Sequence, residues 1–193
     1  MNLEKHIAKL SITPSDINEH IYTLFRYSKE CDHITEMGVR SVVSTWAFLG
    51  GKPKKLISYD FQHPAAFGTN IQDVYDAAKD HNIDFEFIEA NVLDVEIEET
   101  DLLFLDTWHA YIQLQAELKL HAKKVKKYII LHDTTTFATV DETHYETVFG
   151  MKVNNKGLWL AIEEFLEENK NWKLLERFTN NNGLTILEKI KRN

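Results

Sequence analysis

The chain has 193 residues, of which 44% are hydrophobic and 27% charged, and a net charge of −8. Such a length supports a substantial core in one domain spanning 1–193, and such a balance excludes a disordered chain. The acidic excess argues against nucleic-acid binding, which needs a basic surface. One cysteine, Cys31, excludes an internal disulfide and points to a reducing, cytoplasmic compartment. No apolar run approaches the ~20 residues of a membrane span, and no signal-peptide core is visible, so no membrane role is expected.

Residues 1–32 read as an amphipathic helical cover. Thr13-Pro14-Ser15-Asp16 is a helix-start signal, after which Ile17, Ile21, Leu24 and Phe25 share a face. Such a helix shields a sheet edge or forms a substrate wall. Residues 33–38 form a strand ending in Glu36 and Gly38, and a helix-like stretch follows as far as Gly50-Gly51. Strand, glycine turn and helix start make a ligand-binding corner, to which Ser41, Ser44 and Thr45 bring hydroxyls. A second strand, 56–60, ends in Asp60, 22 residues after Gly38. An acid at that spacing accepts ribose hydroxyls or caps the next helix.

A loop over 61–70 leads to a helix over 71–81, with Ile71, Val74, Tyr75 and Ala78 inward. An alternating strand over 83–88 then runs into Asn91, Val92 and Leu93. There Asn91 can hydrogen-bond an adenine, with Val92 and Leu93 against its face. Residues 101–133 carry two apolar runs, 102–105 and 128–131, joined by a helical pattern of Tyr111, Leu114, Leu118 and Leu120. This is a β-α-β unit of strands buried on both faces. Its strands stop at Asp106 and at His132-Asp133, on the edge where open parallel sheets bind ligands. His109 is expected one turn into the helix. The lysine pairs 123–124 and 126–127 read as a solvated helix end, and Trp46 and Trp159 as packing rather than a sugar-stacking set, with Trp108, between Asp106 and His109 at the rim, the one exception. The polar stretch 134–157 is long enough to be a substrate loop. An amphipathic helix and a hairpin with the turn 179–183 close the chain.

This order of parts resembles the class I S-adenosylmethionine-dependent methyltransferases over residues 33–190. Three pieces, LDTWHAY, IILHDTTTF and GLWLAIEEFL…NNNGLTIL, are similar to small-molecule and sugar O-methyltransferases, including the macrocin O-methyltransferase and cephalosporin-hydroxylase-like groups. The resemblance implies an α/β fold: a three-layer Rossmann-like sheet, mostly parallel, with a C-terminal antiparallel hairpin. It places the cofactor S-adenosylmethionine against Glu36, Gly38, Ser44, Asp60, Asn91, Val92 and Asp106. Metal-dependent relatives bind magnesium at the positions of Asp106, His132 and Asp133, so Mg2+ or another divalent metal is implied there. Related enzymes often assemble as homo-oligomers.

Two departures stand out. Glu36-Met37-Gly38-Val39-Arg40-Ser41-Val42 lacks the second glycine of E-x-G-x-x-x-G, and His132 replaces the oxygen ligand that magnesium prefers. The expected chemistry is attack on the activated methyl by an acceptor oxygen, with Asp106, His109, His132 and Asp133 as the catalytic candidates and either histidine as base. Two rivals are a non-catalytic S-adenosylmethionine-binding protein and another nucleotide-cofactor α/β enzyme, such as a dehydrogenase.

Overall fold

The computed structural model describes residues 2–190; the expected domain ends, Met1 and 191–193, lie outside them. Seven strands form one sheet in the order β3-β2-β1-β4-β5-β7-β6. They are β1 (His33–Met37), β2 (Lys55–Asp60), β3 (Asp84–Glu89), β4 (Thr100–Leu105), β5 (Val125–His132), β6 (Trp172–Phe178) and β7 (Leu184–Lys189). Strands β1 to β5 pair in parallel, and β7 runs antiparallel between β5 and β6. This is the mostly parallel Rossmann-like sheet with a terminal hairpin that the sequence predicts.

The two-residue period of a strand divides the apolar runs between two cores. Leu102 and Phe104 of β4 face helices α1 (Leu3–Ile12), α2 (Ile21–Ser28), α3 (Val43–Gly50) and α4 (Gln72–Asp80). Leu103 and Leu105 face α5 (Tyr111–His121) and α7 (Gly157–Glu168). All four leave at most 3% of their surface exposed, which is why the run is continuous rather than alternating. The edge strands carry charge instead, with Glu86 and Glu89 on β3 and Lys173 and Arg177 on β6, which discourages further pairing. A single helical turn, α6 (Glu146–Phe149), interrupts the long polar stretch.

From β1 the chain moves outward through β2 and β3, then crosses back to β4 on the other side. A crevice therefore opens between the carboxyl ends of β1 and β4. Gly38 makes that corner possible. Its φ is +87°, and a Cβ there would lie 1.9 Å from the Asp106 carbonyl oxygen. The tight approach is locked by Asp106 N–H donating to the Met37 carbonyl at 2.9 Å.

Several expectations need correction. The Thr13-Pro14 signal does not open a helix. Thr13 caps the end of α1, and Ser15 and Asn18 tie 13–17 into a loop through a 3.1 Å bond from Ser15 N–H to Asn18 Oδ1. The buried face is as expected, however, with Ile17, Ile21 and Leu24 inside. Leu120 is 41% exposed, because 100° per residue carries it off the stripe of Leu114 and Leu118. Lys126 and Lys127 belong to β5, not to a helix end. His109 precedes α5 rather than lying within it, since the helix is capped at an extended Ala110.

Candidate functional site

The crevice forms a cavity of about 280 Å3 whose walls include Gly38, Asp60, Asn91, Asp106, His109 and Asp133. The sequence-distant acids at the ends of β2, β4 and β5 thus meet on one rim.

At the β1 end, Glu36 lies beneath the floor with none of its surface exposed. It accepts hydrogen bonds from Ser44 (2.6 Å), Ser58 (2.6 Å) and Thr45 (2.8 Å). Burial nevertheless pushes its carboxyl up to about 7, because hydroxyls offset only part of the desolvation. The expected cofactor contacts of Glu36 and Ser44 are therefore with one another here. Asp60 Oδ2 accepts from the backbone N–H of Val39 (2.8 Å) and Arg40 (2.9 Å), and Oδ1 from Gln62 N–H (3.0 Å). The helix-cap reading does not hold, since His63 caps the next helical turn and Ile71 precedes α4; Asp60 instead pins the glycine turn and still faces the cavity, as the ribose reading requires. Arg40 and Val42 hold φ of +47° and +59°. A left-handed β-branched residue is a genuine outlier, and it stands where the second glycine is missing. Asn91 lines the cavity and also caps a short turn: its Oδ1 accepts from Leu93 N–H (3.1 Å) and its amide donates to Asp94 (3.0 Å). Val92 is buried, and its carbonyl receives His121 Nε2 at 2.9 Å.

The other end is a cluster of carboxylates and imidazoles. His132 is fully enclosed: Nδ1 lies 3.1 Å from Asp106 Oδ1 and 3.2 Å from Asp133 Oδ2, and Nε2 lies 3.2 Å from the Asn181 carbonyl. Burial works against its charge, but the two carboxylates prevail and lift its pKa to about 10. His109 stacks on Phe137, with ring centroids 4.7 Å apart. Its Nε2 lies 2.9 Å from Asp133 and 3.5 Å from Asp106, and its Nδ1 lies 3.0 Å from Glu142 Oε2. Neither ring nitrogen is aligned with its oxygen well enough for a hydrogen bond, so donor capacity remains. Burial lowers and the three acids raise the His109 pKa, leaving it well above the ordinary value. Asp106 and Asp133 are driven the opposite way: burial opposes their charge, yet the imidazoles hold both low.

Ligand atoms of Asp106, His109 and Asp133 lie within 4.8 Å of one another. The converging histidine is thus His109, whereas the expected metal set contained His132, whose nitrogens are already engaged. Two carboxylates and one imidazole make a mixed oxygen and nitrogen donor set, which fits a divalent transition metal better than magnesium, a cation that favours an all-oxygen shell.

Two acids escaped the sequence reading. Glu142 reaches His109 from the polar stretch. Asp141, 6% exposed, caps two helices at once: it accepts from Tyr111 N–H of α5 (2.8 Å), Gly157 N–H of α7 (2.9 Å) and Lys156 N–H (3.1 Å). An Asp-Glu pair in a polar run gives no periodic signal, and its partners are 15 to 33 residues away. Trp108 is buried, with Nε1 donating to the Glu142 carbonyl at 2.8 Å, and so packs rather than presenting a free stacking face.

No family model and no curated protein matches this sequence. Solved structures do match the fold. A Staphylococcus aureus protein described as a caffeoyl-CoA O-methyltransferase aligns at TM-score 0.62 and 13% identity, over 98% of this chain and 92% of its own. A SAH-bound methyltransferase from Podospora anserina gives 0.59 and 16%, over 98% and 88%. An O-methyltransferase from Bacillus cereus in complex with SAH gives 0.59 and 14%, over 98% and 90%. The chain therefore has the class I methyltransferase-like fold.

Proposed function

We propose that this chain transfers the methyl group of S-adenosylmethionine to an oxygen of a small molecule or sugar. One observation carries the reading: Asp60, Asp106 and Asp133, from three separate strand ends, line a single cavity at the switch point between β1 and β4. Similarity in fold to SAH-bound methyltransferases supports it. In this reading the ribose lies at Asp60, whose carboxylate keeps acceptor capacity beyond its three amide bonds. The adenine lies along Ala90 and Val92, and the methionine part along Gly38 and Ser41.

The acceptor enters between His109, Asp133 and Glu142, with the stretch 134–157 shaping its pocket. Its hydroxyl oxygen bonds to the methyl carbon as the carbon–sulfur bond breaks, and sulfur keeps the electron pair. The released proton goes to a group beside that oxygen. His109 lines the cavity and is the candidate, whereas His132 touches only protein and positions the two aspartates. With three acids around it His109 is charged, so it must first hand a ring proton to one of those carboxylates before the imidazole can take the acceptor's proton. Asp106, His109 and Asp133 would hold a divalent metal, which when bound would polarise the acceptor oxygen.

Calorimetry with S-adenosylmethionine, S-adenosylhomocysteine and NAD, with and without divalent metal, tests this reading. The adenosyl ligands are expected to bind and NAD is not. Asp60→Ala should weaken the adenosyl ligand at least tenfold, and His109→Ala should slow turnover more than binding. Unchanged binding by Asp60→Ala removes the ribose assignment. The strained Val42, in place of glycine, favours a second reading, a binder without turnover, which tight cofactor binding with no product from any acceptor would support.

A further inference from the structure

The cavity wall carries five acids, Asp16, Asp60, Asp106, Asp133 and Glu142. Among the described residues that line it, the cations are Arg40 and the charged His109, and His109 is already enclosed by Asp106, Asp133 and Glu142. An acidic wall suits a sulfonium and an ammonium, but it repels a carboxylate. The amino-acid end of S-adenosylmethionine carries all three groups, so its carboxylate needs a cation, and a planar guanidinium matches a carboxylate in two-point geometry.

Arg40 is placed for this. It sits in the glycine turn at φ +47°, a conformation that costs energy outside glycine. Its backbone is pinned by the 2.9 Å bond to Asp60, so only the side chain is free to move. That side chain now pairs with Asp16, Nη1 to Oδ2 at 2.6 Å, and both residues line the cavity. The Asp16 backbone is fixed as well: its carbonyl accepts from Asn182 Nδ2 at 3.3 Å, and the neighbouring Ser15 carbonyl from Asn181 Nδ2 at 3.1 Å. Both partners of the ion pair are largely exposed, at 69% and 46%, and such pairs are weak. The guanidinium can therefore exchange one carboxylate for another without disturbing the fold.

We infer that Arg40 recognises the α-carboxylate of the bound cofactor, and that Asp16 holds the same guanidinium as an internal stand-in until the cofactor arrives. This rests on the proposed methyltransferase reading and names a contact within it. The inference also explains why a charged residue occupies a strained turn position.

The test is calorimetry with S-adenosylhomocysteine and its decarboxylated analogue S-adenosyl-3-thiopropylamine, which keeps the ammonium. Arg40→Met should lower affinity for S-adenosylhomocysteine about tenfold and leave the analogue within about twofold, as expected for one charge-assisted pair. Arg40→Lys should recover part of the loss. Asp16→Asn removes the competing carboxylate and should tighten S-adenosylhomocysteine severalfold. If Arg40→Met weakens both ligands alike, or neither, the carboxylate is recognised elsewhere and this assignment is wrong while the methyltransferase reading stands. If the parent chain binds neither ligand, the methyltransferase reading fails and this inference fails with it.

Discussion

At the β1 end of the crevice, Glu36 and Asp60 are held by neutral donors: three hydroxyls on one and three backbone amides on the other. At the β4–β5 end, Asp106, Asp133 and Glu142 converge on two imidazoles. Neutral donors fix a carboxylate in place but do not cancel the cost of burying its charge, so Glu36 is pushed up to about 7. Cationic partners do cancel it, so Asp106 and Asp133 stay low while His132 rises to about 10. The first end therefore holds geometry, and the second holds charge.

The largest break in this contrast comes from the corner that joins the two ends. Gly38→Ala forces a Cβ onto the Asp106 carbonyl at a positive φ, and should cost about 4 kcal/mol or more in denaturant unfolding. A loss under about 1 kcal/mol would mean that the corner relaxes freely. Next, Asp106→Ala leaves the enclosed His132 short of a partner, and should cost about 3 kcal/mol by urea titration. Glu36→Ala strands three buried hydroxyls, and should cost about 2 kcal/mol in the same assay, whereas Glu36→Gln should cost less.

The effect that best separates the ends is pH dependence. Glu36 binds its proton more tightly folded than unfolded, so its contribution to stability falls as pH rises from about 4.5 to about 7. His132 is also raised, so its contribution is complete below about 6.5 and is lost as pH rises towards about 10. Asp106 and Asp133, both lowered, act in the opposite sense and lose their contribution below about 3.8. Melting curves across pH should show the lower window flattened in Glu36→Gln and the upper window flattened in His132→Gln. If each variant flattens the other's window, the assignment of the two ends is reversed.

The strands and the acids that end them were legible because burial on both faces leaves continuous apolar runs that stop where the sheet meets the crevice. Asp60, Asp106 and Asp133 were found that way. Less was visible where a polar side chain serves the backbone. Asn91 looks like a ligand donor, yet it caps a turn whose partners, Leu93 and Asp94, are within three residues. The place of His109 before the helix depends on Asp141, which holds the Tyr111 amide from 30 residues away and which no local pattern reveals. Glu142 was hidden for the same reason: a loop acid acquires its meaning only from the imidazole it reaches.

Asp141 has a practical consequence. Its backbone N–H donates to Asn155 Oδ1 at 3.2 Å while its carboxylate holds the first turns of α5 and α7, so the stretch between these two residues leaves and re-enters the body at one fixed gate. Residues 143–154 can be exchanged for a segment of other length and side chains, while Glu142 keeps its hold on His109 and Trp108 and the helices behind keep their footing. Under the proposed function, grafting at that gate is the route to retargeting the pocket.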